Sequence, residues 1–163
     1  MFGFLKKGNA TENIEIITAP IIGEAVESAQ INDPTFAEEM LGKGIAIRPE
    51  IGKMFSPVDG TVTMVFDTKH AVSFTSEKGA EVLVHVGLDT VNLKGEHYTA
   101  HVKDGDTVKK GDLILEFDME KIKEAGYDLI TPIVICNTDD YQDIETITGK
   151  AVNTEDAVMK LKA

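Results

Sequence analysis

Four histidines, at positions 70, 85, 97 and 101, are the side chains here best suited to chemistry near neutral pH. An unperturbed imidazole titrates at about 6.5, so in its neutral form it is a nucleophile, a proton carrier or a metal ligand. His85 lies within Glu81-Val-Leu-Val-His-Val-Gly-Leu-Asp-Thr-Val91, where six of its neighbours are Val or Leu. Strand alternation places Val82, Val84 and Val86 on one face and Leu83 with His85 on the other. Both faces around this histidine are therefore apolar. Spacing alone leaves two readings: a core histidine satisfied by a hydrogen bond, or a nucleophile or ligand at the mouth of an apolar depression. Two details favour the second. Gly87, two residues on, opens the backbone and gives access. A carbonyl there can accept from Nδ1–H, which leaves the Nε2 lone pair free and pointing outward.

His70 occurs in "DTKHAVSF", read as a strand, with Thr68 two residues earlier and so on the same face. If this strand pairs with that of His85, the two imidazoles meet. His97 and His101, in "GEHYTAH", share a face at a spacing of four, but lack the HExxH pattern and sit between turn signals. They read as surface polar residues rather than a metal pair. A zinc hydrolase needs a third protein ligand, which no compact set near His85 supplies. No metal site of the chain's own is expected; a zinc held by His70 and His85 would need a partner's carboxylate. The sequence has no GxSxG elbow, Walker loop or CxxC motif.

The elements that must position these residues are mostly strands. "IEIIT", "GIAIR", "GTVTMVF", "AVSF", "EVLVHV", "DLILEF" and "LITPIVI" are short, β-branched and bounded by turn residues. Such spacing predicts a β-sandwich or barrel-like fold. Asp59-Gly-Thr-Val62 and Asp104-Gly-Asp-Thr-Val108 echo each other, each turn entering an apolar strand. Helical signals are few. Asp33 caps about two turns in "DPTFAEEMLGKG"; "DMEKIKEAGYD" forms a second helix stopped by Gly126; "NTDDYQDIETI" holds a third. With 163 residues, the pattern fits one domain over residues 14–163 behind a flexible tail of residues 1–13. Phe2, Phe4 and Leu5 beside Lys6 and Lys7 are the elements of a very short membrane foot, though a frayed terminus is the simpler reading.

The formal net charge of −12 argues against nucleic acid, whose binding is led by phosphate neutralisation, and for partners with basic patches. The single cysteine, Cys136, reads as packing in a buried strand of a protein from a reducing compartment.

The stretch around His85 resembles the active-site signature of the glucose-type IIA component of the bacterial phosphoenolpyruvate-dependent sugar phosphotransferase system. "DPTFAEEMLGKGIAIRP", "SPVDGTV", "TKHAVSF", "VNLKGE" and "GDLILEFD" resemble the family in the same order, so the likeness covers about residues 14 to 162. It implies an antiparallel β-sandwich of duplicated hybrid-motif type with a few short helices. It also implies a phosphotransferase that works without a cofactor. Such a carrier accepts phosphate from the histidine-containing phosphocarrier protein and passes it to a cysteine on the IIB domain of a sugar permease. His85 matches the phosphorylated residue, with Nε2 as acceptor, His70 the supporting histidine and Thr68 the threonine beside it. Asp33 and Asp89 match acidic residues at the rim. Phe36, Met40, Leu41, Phe66, Leu83 and Val91 match positions of the apolar docking surface. The implied setting is the cytoplasm, transiently at the inner membrane face, and regulated enzymes or transporters are further partners of some relatives. "VKDGDTVKKGDLILEFD" also resembles the turns of biotinyl and lipoyl carrier domains, but lacks their modified lysine.

For transfer, the phosphoryl group needs local donors that outweigh the negative charge of the chain. Charges beyond about 8 Å are largely screened at physiological salt, so His70 N–H, the Thr68 hydroxyl and backbone N–H groups after Gly87 are the candidates.

Overall fold

The computed structural model describes residues 13–163. The reading of a membrane foot at Phe2, Phe4 and Leu5 lies outside them. The first half of the chain forms β1 (Ile14–Thr18), β2 (Gly23–Glu27), α1 (Pro34–Ala37), β3 (Lys43–Pro49), β4 (Lys53–Phe55), β5 (Gly60–Val65), β6 (Ala71–Ser76) and β7 (Glu81–His85). The second half forms β8 (Tyr98–Ala100), β9 (Thr107–Val108), β10 (Leu113–Phe117), α2 (Met119–Glu124), β11 (Thr131–Ile135), β12 (Asp143–Thr146), β13 (Lys150–Val152) and β14 (Ala157–Lys162). Among the described residues no helix is long and apolar enough to cross a membrane.

An eight-stranded sheet runs β13-β2-β3-β11-β7-β6-β5-β9, and two three-stranded sheets run β1-β14-β12 and β4-β10-β8. The strands pair antiparallel, as the sandwich reading predicts. The two echoing Asp-Gly segments lie side by side: Gly60 pairs with Val108 and Thr61 with Thr107 across β5 and β9.

The main core joins one face of the large sheet (Ile45, Val62, Phe74, Val82, Val84, Ile133) to the small sheets through Met54, Ile114, Leu115, Ile17 and Met159. The other face of the large sheet is covered as well. There Val26, Ala46, Ala71, Leu83 and Val134 pack with Ile31, Phe36, Leu88 and Ile130. A strand buried on both faces reads as a near-continuous apolar run, which accounts for the sequence around His85. Gly44 allows β3 to lie against β11 here, since a Cβ on it would stand 2.1 Å from the Ile133 carbonyl oxygen.

Three expectations change. The helix capped by Asp33 is a single turn, because Glu39 adopts a left-handed conformation at φ 56° and ends it early. The third helix is only a 3-10 turn, Thr138–Asp140, after which the chain enters β12. Cys136 is exposed: it follows the last residue of β11, and burial in that strand stops at Ile135.

Candidate active site

β6 and β7 bring the two histidines together. Ala71 pairs with His85, and one residue further the Val86 N–H donates to the His70 carbonyl at 2.6 Å. The imidazole centroids are 4.7 Å apart, with the rings edge to face at 83°. Alternation placed His85 correctly: Leu83 belongs to the outer cluster, and Val82, Val84 and Val86 to the main core. His70 does not sit in a strand. It ends the loop between β5 and β6, where Lys69 is left-handed at φ 59° and its N–H donates to the Phe66 carbonyl at 2.7 Å. That turn, rather than alternation, brings the Thr68 hydroxyl to 2.7 Å from His70 Nδ1.

His85 Nδ1 lies 2.7 Å from the Gly87 carbonyl oxygen. A carbonyl only accepts, so Nδ1 carries the proton and Nε2 keeps its lone pair. Gly87 adopts φ +90°, and a Cβ there would stand 2.6 Å from Thr90 Cγ2 and 3.1 Å from the Asp128 carbonyl oxygen. Gly87 is itself buried. Its contribution is the turn that aims this carbonyl, not an opening to solvent.

Burial keeps both imidazoles neutral at physiological pH. His70, only 3% exposed, has its pKa lowered to about 4, chiefly by burial and then by the proximity of His85; a hydrogen bond at Thr68 opposes the shift. The half-buried His85 is also lowered by burial, against the Gly87 hydrogen bond and the negative charges of Asp33 and Asp89. The rim carboxylates are thus near enough to favour a positive ring. Asp33 has a second task, accepting from the Thr35 N–H at 3.0 Å to cap α1. The short helix carries Phe36, whose ring centroid is 5.0 Å from that of His85. Phe66 meets His70 edge-on at 5.7 Å.

The predicted docking residues divide. Phe36 and Leu83 are 7% and 9% exposed, so they form a floor beneath the histidines rather than a free surface. Phe66 is half-buried. Met40, Leu41 and Val91 are 69%, 45% and 47% exposed. Met40 and Leu41 line a cleft of about 500 Å³ with Glu39, Lys43 and Cys136, which contains neither histidine. Cys136 N–H bonds to the Glu81 carbonyl, which puts this cleft at the other end of β7 from His85. The histidines at 97 and 101 stay apart from the site: they flank β8, and His101 Nε2 is 2.7 Å from Glu116. Among the described residues no group of three or more His, Cys, Asp or Glu is placed to hold a metal ion.

The model of the phosphoenolpyruvate-dependent sugar phosphotransferase system family EIIA 1 matches residues 15–141. The chain belongs to this EIIA family. A glucose-specific EIIA component from Oceanobacillus iheyensis is 49% identical over 148 residues, covering 90% of each chain. A beta-glucoside-specific EIIBCA component from Dickeya chrysanthemi is 49% identical over 147 residues; the match takes in 90% of this chain and 23% of the relative. The chain thus spans about a quarter of that fused relative. The glucose permease IIA of Mycoplasma capricolum superposes with a TM-score of 0.84 at 30% identity, over 91% of this chain and 96% of that one. The EIIA chain has the mainly β architecture of that structure.

Two hydroxyl groups at the turn after His85 escaped the sequence reading. Thr90 Oγ1 and Tyr98 Oη both donate to the Val86 carbonyl, at 2.7 and 2.9 Å. In sequence, Thr90 looks like any hydroxyl opening a short helix, and Tyr98 like a strand aromatic. Conversely, one expected phosphoryl donor is already used, since the Leu88 N–H bonds to the Asp128 carbonyl at 2.9 Å.

Proposed function

We propose that this EIIA chain carries a phosphoryl group on His85 Nε2. It accepts the group from the histidine-containing phosphocarrier protein and passes it to the cysteine of a IIB domain in a sugar permease. The observation that carries this reading is the hydrogen bond from His85 Nδ1 to Gly87 O at 2.7 Å, which reserves the Nε2 lone pair as the nucleophile. In the first step that lone pair forms the new N–P bond. The N–P bond of the donor breaks, and its electron pair returns to the donor's imidazole. Because Nδ1 keeps its proton, the phosphorylated ring is formally cationic. The Gly87 carbonyl and the Asp33 and Asp89 charges favour that ring, while the carboxylates repel the phosphoryl oxygens and keep the group transferable. In the second step the IIB thiolate attacks phosphorus, and the N–P electrons return to His85.

His70 supplies the nearby donor. With the Thr68 hydroxyl donating to Nδ1, the neutral ring carries its proton on Nε2 and can offer it to a phosphoryl oxygen. Phe36, Leu83 and Phe66 keep water from the reacting atoms; the exposed Val91 provides apolar docking area, and Met40 and Leu41 extend it at the cleft beyond the other end of β7. The chain acts in the cytoplasm, reaching the inner face of the membrane through the permease.

Labelling by the phosphorylated phosphocarrier protein tests this. His85→Ala takes up no acid-labile, alkali-stable phosphate, whereas His70→Ala takes it up but does not pass it to IIB. Normal labelling of His85→Ala overturns the assignment.

A further inference from the structure

The peptide groups on either side of Gly87 are held independently. The Val86 carbonyl accepts from both Thr90 Oγ1 at 2.7 Å and Tyr98 Oη at 2.9 Å, so both of its lone pairs are occupied. Both donors are buried, at 0% and 5% exposure. The following peptide presents the Gly87 carbonyl to His85 and its Leu88 N–H to the Asp128 carbonyl. The Thr90 methyl group fills the space where a Gly87 side chain would lie. Neither hydroxyl reaches an imidazole, yet together they set the plane of the chain just before the carbonyl that holds His85 Nδ1.

We propose that Thr90 and Tyr98 are positioning residues for the transfer: by clamping the Val86 carbonyl, they hold His85 in the Nδ1–H tautomer with Nε2 presented. This rests on the phosphocarrier reading. Burial supports a constant clamp, since it raises the Tyr98 pKa to about 12 against an opposing hydrogen bond with Thr90, and the phenol remains a donor throughout the working pH range.

Thr90→Val keeps the methyl group and loses the hydroxyl; Thr90→Ser does the reverse; Tyr98→Phe removes only the phenolic oxygen. Each is made in the full chain. The nitrogen-15 shifts of His85 report the tautomer, a pH titration reports its midpoint, and labelling by the phosphorylated phosphocarrier protein reports the acceptance rate. The Thr90→Val/Tyr98→Phe double variant is expected to show mixed tautomers, a lower His85 midpoint and acceptance slowed about 10-fold, the low end of the loss when outer partners that orient metal-binding histidines are removed. Thr90→Ser is expected to retain the wild-type tautomer and rate. A folded double variant with the wild-type tautomer and rate overturns the proposal. If the double variant does not fold, the Thr90→Val and Thr90→Ser pair decides: identical His85 spectra and rates in the two overturn it. The tautomer measurement needs no phosphate. If His85→Ala still labels, the carrier reading fails while the spectra still show whether the clamp exists.

Discussion

The Val86 N–H donates to the His70 carbonyl at 2.6 Å, so the strand that carries His85 is fastened to the loop that carries His70 at the residue next to His85. With Ala71 paired opposite His85, the imidazoles face each other as a consequence of sheet register. Moving them apart would mean breaking a ladder covered by core on one side and by Phe36 and Leu88 on the other. Such a pair is preorganised, and what remains adjustable is protonation and tautomer.

The Thr68 hydroxyl lies 2.7 Å from His70 Nδ1, and the proposed transfer uses it to set the tautomer of His70. Thr68→Val is expected to accept label near the wild-type rate but to pass it to IIB about 100-fold more slowly, the low end of what proton positioning contributes to a transfer step. Thr68→Ser restores the second step. Rapid-quench measurement of both steps checks this. Equal slowing of the two would mean that Thr68 serves docking or folding instead.

The depressed pKa of His70 makes stability depend on pH. The ordinary value is 6.5 and the folded one about 4, so between these the unfolded chain holds the proton and the folded chain does not. Stability therefore rises with pH through this window and falls as the solution is acidified from 6.5 toward 4. Urea unfolding at a series of pH values should show this slope, and His70→Asn should flatten it. An unchanged slope in the variant would assign the dependence to other groups.

His85 stood out because a strand covered on both faces has few polar residues and a titratable one is conspicuous, although spacing left its role open until the family resemblance. His70, in the loop before β6, was read as a strand residue, and its pairing with His85 came from that resemblance. Their surroundings were less legible. Thr68 reaches His70 through a left-handed Lys69, and φ signs of non-glycine residues are not written in residue type. Cys136 was misread because one position past a strand end changes burial from complete to slight. Thr90 and Tyr98 act on a backbone carbonyl, so their role depends on which main-chain group the fold delivers to them. The docking surface was read as one patch because apolar type does not separate a floor residue such as Leu83 from an exposed one such as Met40.

Gly87→Ala should be costly for two reasons. Its φ of +90° is unfavourable for an L side chain, and the new Cβ would stand 2.6 Å from Thr90 Cγ2. Backbone strain and overpacking each cost about 1–3 kcal/mol, so a loss of roughly 2–6 kcal/mol is expected in urea unfolding. The carbonyl must also turn away from His85, so label acceptance should fall even in the fraction that remains folded. A stable variant with normal acceptance would show that the Gly87 bond is dispensable.

The rim carboxylates can be separated from their structural duties. Asp33 caps α1 through the Thr35 N–H, and Asp89 sits in the left-handed region at φ 58°. Asn is as good an N-cap as Asp and tolerates left-handed backbone, so Asp33→Asn and Asp89→Asn remove charge while keeping the local geometry. Both charges raise the His85 pKa against burial. Each substitution should therefore lower its NMR titration midpoint, and the double variant should lower it most. A phosphoryl dianion on a cationic ring still adds net negative charge beside the two carboxylates, so removing them should relieve repulsion and shift the phosphoryl equilibrium toward this chain. Association with a basic partner should slow and become less sensitive to salt, because rim charges act mainly on encounter rates. Asp33→Ala would add the loss of the cap, about 1 kcal/mol, and is the control for structure. A double Asn variant with an unchanged His85 midpoint, phosphoryl equilibrium and salt dependence would confine Asp33 to capping and leave Asp89 with no part in the chemistry.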